Sequence, residues 1–318
     1  VTEPPVDCSI VIPVHNRAPL TRCCLDALLE QELPGTEIVV VDDASTDATP
    51  EVLERYAGRV RVVRLAVNTG FARACNAGVE AARGPLLALL NNDTVPTAGW
   101  LEALIDYRRR HPSASVVGGK LLWPDNTVQH AGVAIDHDRN AFHLYAGLAQ
   151  DHPAVNRSRP MQVVTAACML VAKECFQRHG GFDPAFHNGY EDVDFCLRLG
   201  EDEEVHYCHR CVVYHLESAT RGWDNAEDDR NHDLFMERWF HRLRPDHLDY
   251  YVEDGLVRIG YEGDRLLVEV SPLLGRAATG DGGEVLERLL TLRSHQHFDL
   301  VRENITLRAA AGASWPAP

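Results

Sequence analysis

The sequence predicts an α/β domain, a mostly parallel sheet covered by helices on both faces, followed by a small C-terminal α+β segment. Three observations carry that expectation. β-branched apolar runs alternate with stretches of helical spacing through the first half of the chain. The runs are continuously apolar, as strands buried on both faces must be. Three of them stop abruptly in polar groups, "PVHN", "VDDAS" and "NNDT". In open parallel sheets ligands bind beyond the carboxyl ends of the strands, so these ends mark one wall of a pocket.

The elements follow in order. "CSIVIPV" reads as a buried strand, and "PLTRCCLDALLEQ" as a helix with Leu20, Cys24, Leu28 and Gln31 in step. "EIVVVDD" is a second strand, and "STDATPEVLERYAG" opens on a capping candidate and continues as a helix. "RVRVVRL" is a third strand, "GFARACNAGVEAARG" a glycine-bounded helix and "PLLALLN" a fourth strand. "TAGWLEALIDYRRRH" and "ASVVGGKLL" supply another helix and strand. Residues 137–160 are polar, proline-containing and weakly periodic, which predicts a surface loop or lid. Beyond them come strand and helix in "MQVVTAACMLVAKECFQRHGGFD", a short helix in "YEDVDFCLRLG" and two strands, "EVHYC" and "VVYHLE". A polar helix with a later aromatic stripe, "DNAEDDRNHDLFMERWFHRL", runs to near Pro245. A hairpin in "DGLVRIGYEGDRLLVEVSP" and a helix in "GEVLERLLTLR" close the chain. The expected division is residues 1–245 and an accessory segment, 246–318, of unassigned role.

At 318 residues, 45% hydrophobic and 25% charged, the composition is that of a globular chain. Its formal charge of −16 argues against nonspecific binding to nucleic acid or anionic membranes. No apolar run reaches the roughly 18 residues of a membrane span, and "VTEPPVDCS" lacks the regions of a signal peptide. The expected location is cytoplasmic, with peripheral association at the inner membrane face as an extension. The chain begins without Met, so a piece of a larger multidomain protein is expected. Nine cysteines lie scattered in apolar segments, which suits buried thiols in a reducing compartment better than disulfides. "HYCHRC" gives Cys208 and Cys211 zinc-ligand spacing near His206 and His209, but no second pair follows, so free thiols are expected there.

Three constellations could carry chemistry. Asp42 and Asp43 end a strand on opposite faces; one could meet a ligand N–H while the other caps the turn, or both could be turn formers. Glu191, Asp192 and Asp194 are three acids in four positions. Helix-dipole complementarity and an Asp194–Arg198 pair would account for them; alternatively Asp192, preceding the helix, faces a pocket as a general base. His215 ends a β-branched run, either as an ordinary strand-end residue or, with Asp93, as part of a shell for Mn²⁺ or Mg²⁺.

Taken together, "SIVIPVHNR", "EIVVVDDASTD", "NTGFARACNAGVEAARG", "LLALLNNDTVP", "GGFDPAFHNGYEDVDFCLRL" and "VVYHLES" resemble family-2 glycosyltransferases, inverting enzymes of the GT-A fold. The nearest flavour is the bacterial branch of rhamnosyl- and galactofuranosyltransferases. The resemblance implies a nucleoside diphosphate sugar as donor, a glycan or lipid-linked acceptor and a Mn²⁺ or Mg²⁺ cofactor. It aligns Pro13 and Asp43 with positions contacting the donor's base. It sets Gly70 and Arg73 near the donor, Arg73 close to the family's phosphate-contacting basic position. Asn92 and Asp93 fall where the metal motif sits, with Asp93 as its acid and an Asn replacing the first acid. Asp192 matches the catalytic base and His215 a histidine completing the metal site. Ala166 stands where relatives often have Gly, near the acceptor side. Three rivals are weighed beside this reading: a nucleotidyltransferase, which "PVHNRAP" disfavours for want of glycine; a glycan- or partner-binding module that lost its chemistry; and a zinc-stabilised interaction protein.

Overall fold

The protein is described from a computed structural model, in which residues 5–200, 203–216, 225–262 and 265–274 are described. It divides into two compact units, Val1–Asp246 and His247–Pro318. The first half of unit one alternates strand and helix: β1 (Cys8–Val14), α1 (Ala18–Leu29), β2 (Thr36–Asp42), α2 (Thr49–Glu54), β3 (Arg61–Arg64), α3 (Phe71–Ala81) and β4 (Leu86–Leu90). Then come β5 (Thr94–Pro96), α4 (Trp100–Arg110), β6 (Ala114–Leu122), β7 (Val128–His130), β8 (Val133–Ile135) and β9 (Ala141–His143). The unit continues through β10 (Arg159–Met161), β11 (Cys168–Ala172), α5 (Lys173–Arg178), α6 (Glu191–Arg198), β12 (Glu204–His215) and α7 (Asn225–Trp239).

A ten-stranded sheet runs β10-β12-β6-β11-β4-β1-β2-β3, with β5 on β12 and β7 on β6. β4, β1, β2 and β3 are mutually parallel, as are β6 and β12; β11 lies antiparallel between β4 and β6. The continuous apolar runs of β1, β2 and β4 exist because both faces are covered. Ile10, Ile12, Val40, Ala88 and Leu90 pack with Leu25 and Leu28 of α1 and Trp100 and Leu104 of α4. On the other face α3 approaches closely at Gly78, where an added Cβ would stand 2.4 Å from Val11 Cγ1 and 2.8 Å from Val41 Cγ2. Gly78→Val should therefore lower stability by about 1–3 kcal/mol through overpacking. An unchanged urea midpoint would contradict this tight helix–sheet contact.

The structure corrects several sequence expectations. Helix α1 ends at Leu29, so Gln31 lies beyond it and donates to the Ala27 and Pro96 carbonyls. α2 covers only Thr49–Glu54. "EVHYC" and "VVYHLE" form one strand, β12, whose pairing with β6 jumps from Cys208–Gly119 to Val212–Lys120; an irregularity at that step hid the continuity. Residues 137–160 are not a loose lid. They contain β9, a 3-10 turn at Pro153–Asn156 and the start of β10, and they bury Leu144, Tyr145, Leu148 and Val155. Strands of three residues are too short to show a period. Buried Lys120 anchors the segment, donating to the Gln150 carbonyl at 3.2 Å and Asn156 Oδ1 at 2.7 Å, and burial lowers its pKa.

Burial pushes the Cys8 and Cys24 thiols up to about 12, which suits inert core residues. In "HYCHRC", Cys208 Sγ donates to the Ala103 carbonyl, Cys211 Sγ sits 3.7 Å from that of Cys168, His206 bonds Tyr107 and Glu204, and His209 bonds Ser158. The four groups are committed to separate partners rather than to a common ion. In unit two, α8 (His247–Glu253) is followed by an antiparallel hairpin of β13 (Val257–Glu262) and β14 (Arg265–Val270). The helix expected in "GEVLERLLTLR" lies outside the described residues. Among the described residues no helix is long and apolar enough to cross a membrane.

Candidate active site

The carboxyl ends of β1 and β4, the turn after β2 and the entry to β11 open on a cleft of about 740 Å³, a volume typical of small-ligand sites. Pro13, Asp43, Gly70, Asn91, Asn92, Asp93, Asp192 and His215 all line it. Arg73 does not; it is exposed on α3 while its neighbours Phe71 and Ala74 face the cleft, a helical offset that local sequence does not resolve.

Asp93 and His215, distant in sequence, meet because β5 pairs antiparallel with β12. Thr94 lies opposite His215, and the Leu216 N–H donates to the Asp93 carbonyl at 2.9 Å. His215 Nε2 stands 3.1 Å from Asp93 Oδ1, with both residues buried. Despite that approach, Asp93 Oδ1 receives no hydrogen bond, and neither does the buried Asn91 Oδ1. A carboxylate oxygen buried without a donor is costly, and a carboxylate beside an imidazole nitrogen is a donor set suited to a hard or borderline divalent cation. The residues present therefore fit Mn²⁺ or Mg²⁺. Asn91, rather than Asn92, stands beside this pair, its Nδ2 lying 3.3 Å from His215 Nε2. Asn92 turns its amide to Thr21 Oγ1 at 3.0 Å and is tied to α1.

Asp192 lies in the first turn of α6, not before the helix. Its Oδ2 accepts the Ala166 N–H at 2.9 Å and its Oδ1 that of Val193 at 2.8 Å, which fixes the carboxylate plane at the cleft wall. The neighbouring acid has a different task. Asp194 is fully buried and accepts from Arg198, Arg238 and Trp239 Nε1, joining α6 to α7. The expected Asp194–Arg198 pair exists, at 2.7 Å, within this larger network.

The two aspartates after β2 also divide. Asp42 caps its own turn through the Ser45 N–H, whereas Asp43 lines the cleft. Asp43 Oδ1 accepts both the N–H and the hydroxyl of Thr69, and Oδ2 accepts the Gly70 N–H, leaving Oδ2 one acceptor lone pair. Gly70 has φ +83°, and any Cβ there would strike His187 at 2.6 Å, so only glycine fits. Asn16 is spent on the scaffold, its Oδ1 receiving the Thr46 and Asp47 N–H groups.

The profile of the family described as Glycosyl transferase family 2 matches residues 9–176. The chain belongs to that family. It is 34% identical over 227 residues to the O-antigen biosynthesis protein RfbC of Myxococcus xanthus, covering 68% of this chain and 18% of that one. It is 30% identical over 248 residues to the uncharacterized protein y4gI of Sinorhizobium fredii, covering 73% and 27%. With the pre-mycofactocin glycosyltransferase of Mycobacterium tuberculosis it shares 30% over 198 residues, covering 61% and 39%. The chain thus spans between 18% and 39% of the lengths of these curated relatives. Among solved structures it is similar to the mannosyltransferase PcManGT from Pyrobaculum calidifontis in complex with GDP-Man and Mn²⁺, with TM-score 0.56, 18% identity and coverage of 96% and 84%. It is also similar to GalNAc-T7 with UDP, GalNAc and Mn²⁺, with TM-score 0.59, 16% identity and coverage of 79% and 50%. The fold is that of the GT-A glycosyltransferases.

This family-2 cleft includes residues that sequence reasoning passed over. Ala141, Phe142 and His143 of β9 line it, as do Asn188, Tyr190, Asp229 and His232. The Tyr190 ring packs on Phe235 at 4.9 Å and edge-on to His232 at 6.1 Å. His130 is fully buried beside the cleft wall, its ring 4.8 Å from that of His143, and neither ring nitrogen has a partner. Burial, reinforced by His143 and His215, holds it well below the ordinary histidine range. For His130 alone a signal was present, "VQHAG", four polar or small residues after a β-branched one where a plain strand would repeat apolar side chains. A separate trio with ligand-like spacing, Cys175, His179 and Glu203, is not part of the cleft, and Arg178 is already paired with Glu203.

Proposed function

We propose that this chain transfers one sugar, with inversion, from a nucleoside diphosphate sugar to a hydroxyl of a glycan or lipid-linked acceptor. One observation carries the proposal: a buried Asp93 oxygen without a donor, 3.1 Å from His215 Nε2, in the same cleft as the oriented carboxylate of Asp192. Asp93 and His215 hold a Mn²⁺ or Mg²⁺ ion, which when bound offsets the charge growing on the departing diphosphate. Asp192 accepts the acceptor's proton as its oxygen attacks the anomeric carbon. The free lone pair of Asp43 Oδ2 takes an N–H of the donor's base, with Pro13 and Gly70 walling that side of the cleft. Arg73 has no place in this scheme, being outside the lining.

The Myxococcus relative, an O-antigen biosynthesis protein, supports a cell-surface polysaccharide as the acceptor class; a rhamnosyl- or galactofuranosyltransferase-like branch rests on the resemblance of the motifs alone. Mn²⁺ and nucleotides in the two fold neighbours support the cation and the donor class. A non-catalytic binding module is the second reading, favoured by amides at 91 and 92 where the motif has an acid. A panel of UDP, dTDP and GDP sugars, with and without Mn²⁺, separates the two. Donor hydrolysis or transfer, with Mn²⁺-dependent thermal stabilisation, is the expected result. Glycan binding with no effect of any nucleotide would favour the module. His215→Ala should shift the Mn²⁺ requirement of turnover upward, and an unaltered metal titration would remove His215 from the site.

A further inference from the structure

β7 does not pair regularly with β6. Leu122 faces Val128 but Leu121 faces His130, so Gln129 is the extra residue of a β-bulge. Bulges re-aim side chains and are over-represented beside active sites. Here the bulge delivers a buried amide, 1% exposed, to the back of the His215 ring. Gln129 Oε1 lies 2.6 Å from His215 Nδ1, and Gln129 Nε2 donates to the His215 carbonyl at 3.4 Å. The carbonyl contact sets which end of the amide meets the ring. An oxygen at 2.6 Å can only accept, so the proton belongs on Nδ1 and the neutral ring presents an unprotonated Nε2 to Asp93 Oδ1 and to Asn91 Nδ2, 3.1 and 3.3 Å away.

We infer that Gln129 is a positioning residue that holds His215 in its metal-ligating tautomer and orientation. The inference rests on the cation site proposed above and goes beyond it. An acceptor behind the ring fixes the tautomer and raises the basicity of the ligating nitrogen. Without it the imidazole is free to carry its proton on Nε2 and donate to Asp93 Oδ1, closing the site with an internal hydrogen bond. Gln129 thus prevents the Asp93–His215 pair from satisfying itself. That accounts for an otherwise unexplained fact, a buried carboxylate oxygen beside an imidazole with no hydrogen bond between them.

The test is Mn²⁺ binding to the full chain, read by electron paramagnetic resonance with and without UDP or GDP, together with the ¹⁴N modulation that a ligating imidazole imposes on the Mn²⁺ signal. Gln129→Met keeps the length and removes the acceptor; it should weaken Mn²⁺ binding about 10–100-fold and lose the ¹⁴N modulation. Gln129→Glu restores an acceptor and should retain both, which a merely structural role for Gln129 does not require. Should the methionine variant not fold, the glutamate variant decides alone: loss of ¹⁴N modulation in a folded Gln129→Glu overturns the inference. Gln129→Met binding Mn²⁺ as tightly as the unsubstituted protein, with ¹⁴N modulation intact, also overturns it and leaves the proposed function standing. An unsubstituted protein that binds no Mn²⁺ under any of these conditions overturns both.

Discussion

Asp192→Asn is expected to reduce turnover by about 10²–10⁴-fold, the usual contribution of one positioned base, while donor affinity stays near that of the unsubstituted protein. The amide preserves shape and still accepts one of the two N–H bonds, from Ala166 or Val193, that orient the carboxylate. It cannot take up the proton of an attacking hydroxyl. Asp192 also lies apart from the residues proposed to bind the donor, on the first turn of α6 rather than at the ends of β1, β2 or β4. Single-turnover kinetics with a saturating donor, combined with calorimetric nucleotide binding, would separate the two effects. Equal losses in affinity and turnover would recast Asp192 as a residue that shapes the cleft. Full turnover would end its role as base.

Asp194→Ala should have the largest effect on stability. Its carboxylate is fully buried and neutralises Arg198 and Arg238 at 2.7 Å each, while also receiving Trp239 Nε1 at 3.0 Å. Removing it leaves the Arg198 and Arg238 guanidinium groups without their shared counter-charge and a buried indole N–H without an acceptor. Breaking a buried pair costs about 3–5 kcal/mol; the lower end is expected, since the two arginine side chains keep 24% and 32% exposure and water screens part of the penalty. Arg238 retains a second partner in Asp183 at 2.8 Å, which further limits the loss. Urea unfolding followed by tryptophan fluorescence measures this directly. A loss below about 1 kcal/mol, the range of exposed ion pairs, would mean that the network contributes little. Because α7 also carries Asp229 and His232 into the cleft, weaker donor binding should accompany the destabilisation. The three acids of "YEDVDF" thus divide, Glu191 and Asp192 lining the cleft and Asp194 tying the scaffold together.

The strand–helix frame was legible because burial on both sheet faces demands continuous apolar strands, and β1, β2 and β4 display them. The polar strand ends were legible for the complementary reason, that nothing but solvent, scaffold bonds or a ligand can satisfy them. Local pattern could not sort among those three. Asn16 and Asp42 serve turns and scaffold, Asp43 serves both loop and cleft, and Asn91 stands beside the Asp93–His215 pair where Asn92 was expected. Short or irregular elements were illegible. The three-residue strands β7 to β10 carry too few side chains for a period, and the step in β12 at Cys208–Val212 disguised one strand as two.

The order of apolar runs and their polar ends sufficed to determine the layered α/β architecture and which end of the sheet carries the cleft, since both depend on side-chain polarity alone. The resemblance paired Asp93 with His215, but only the tertiary structure brought them within 3.1 Å in one cleft and put Gln129 behind the ring. Those facts depend on β5 pairing with β12, more than a hundred residues away, and on one bulged residue where β7 turns back on β6. Register between distant strands is set by the packing of the whole sheet, and no local stretch of chain records it.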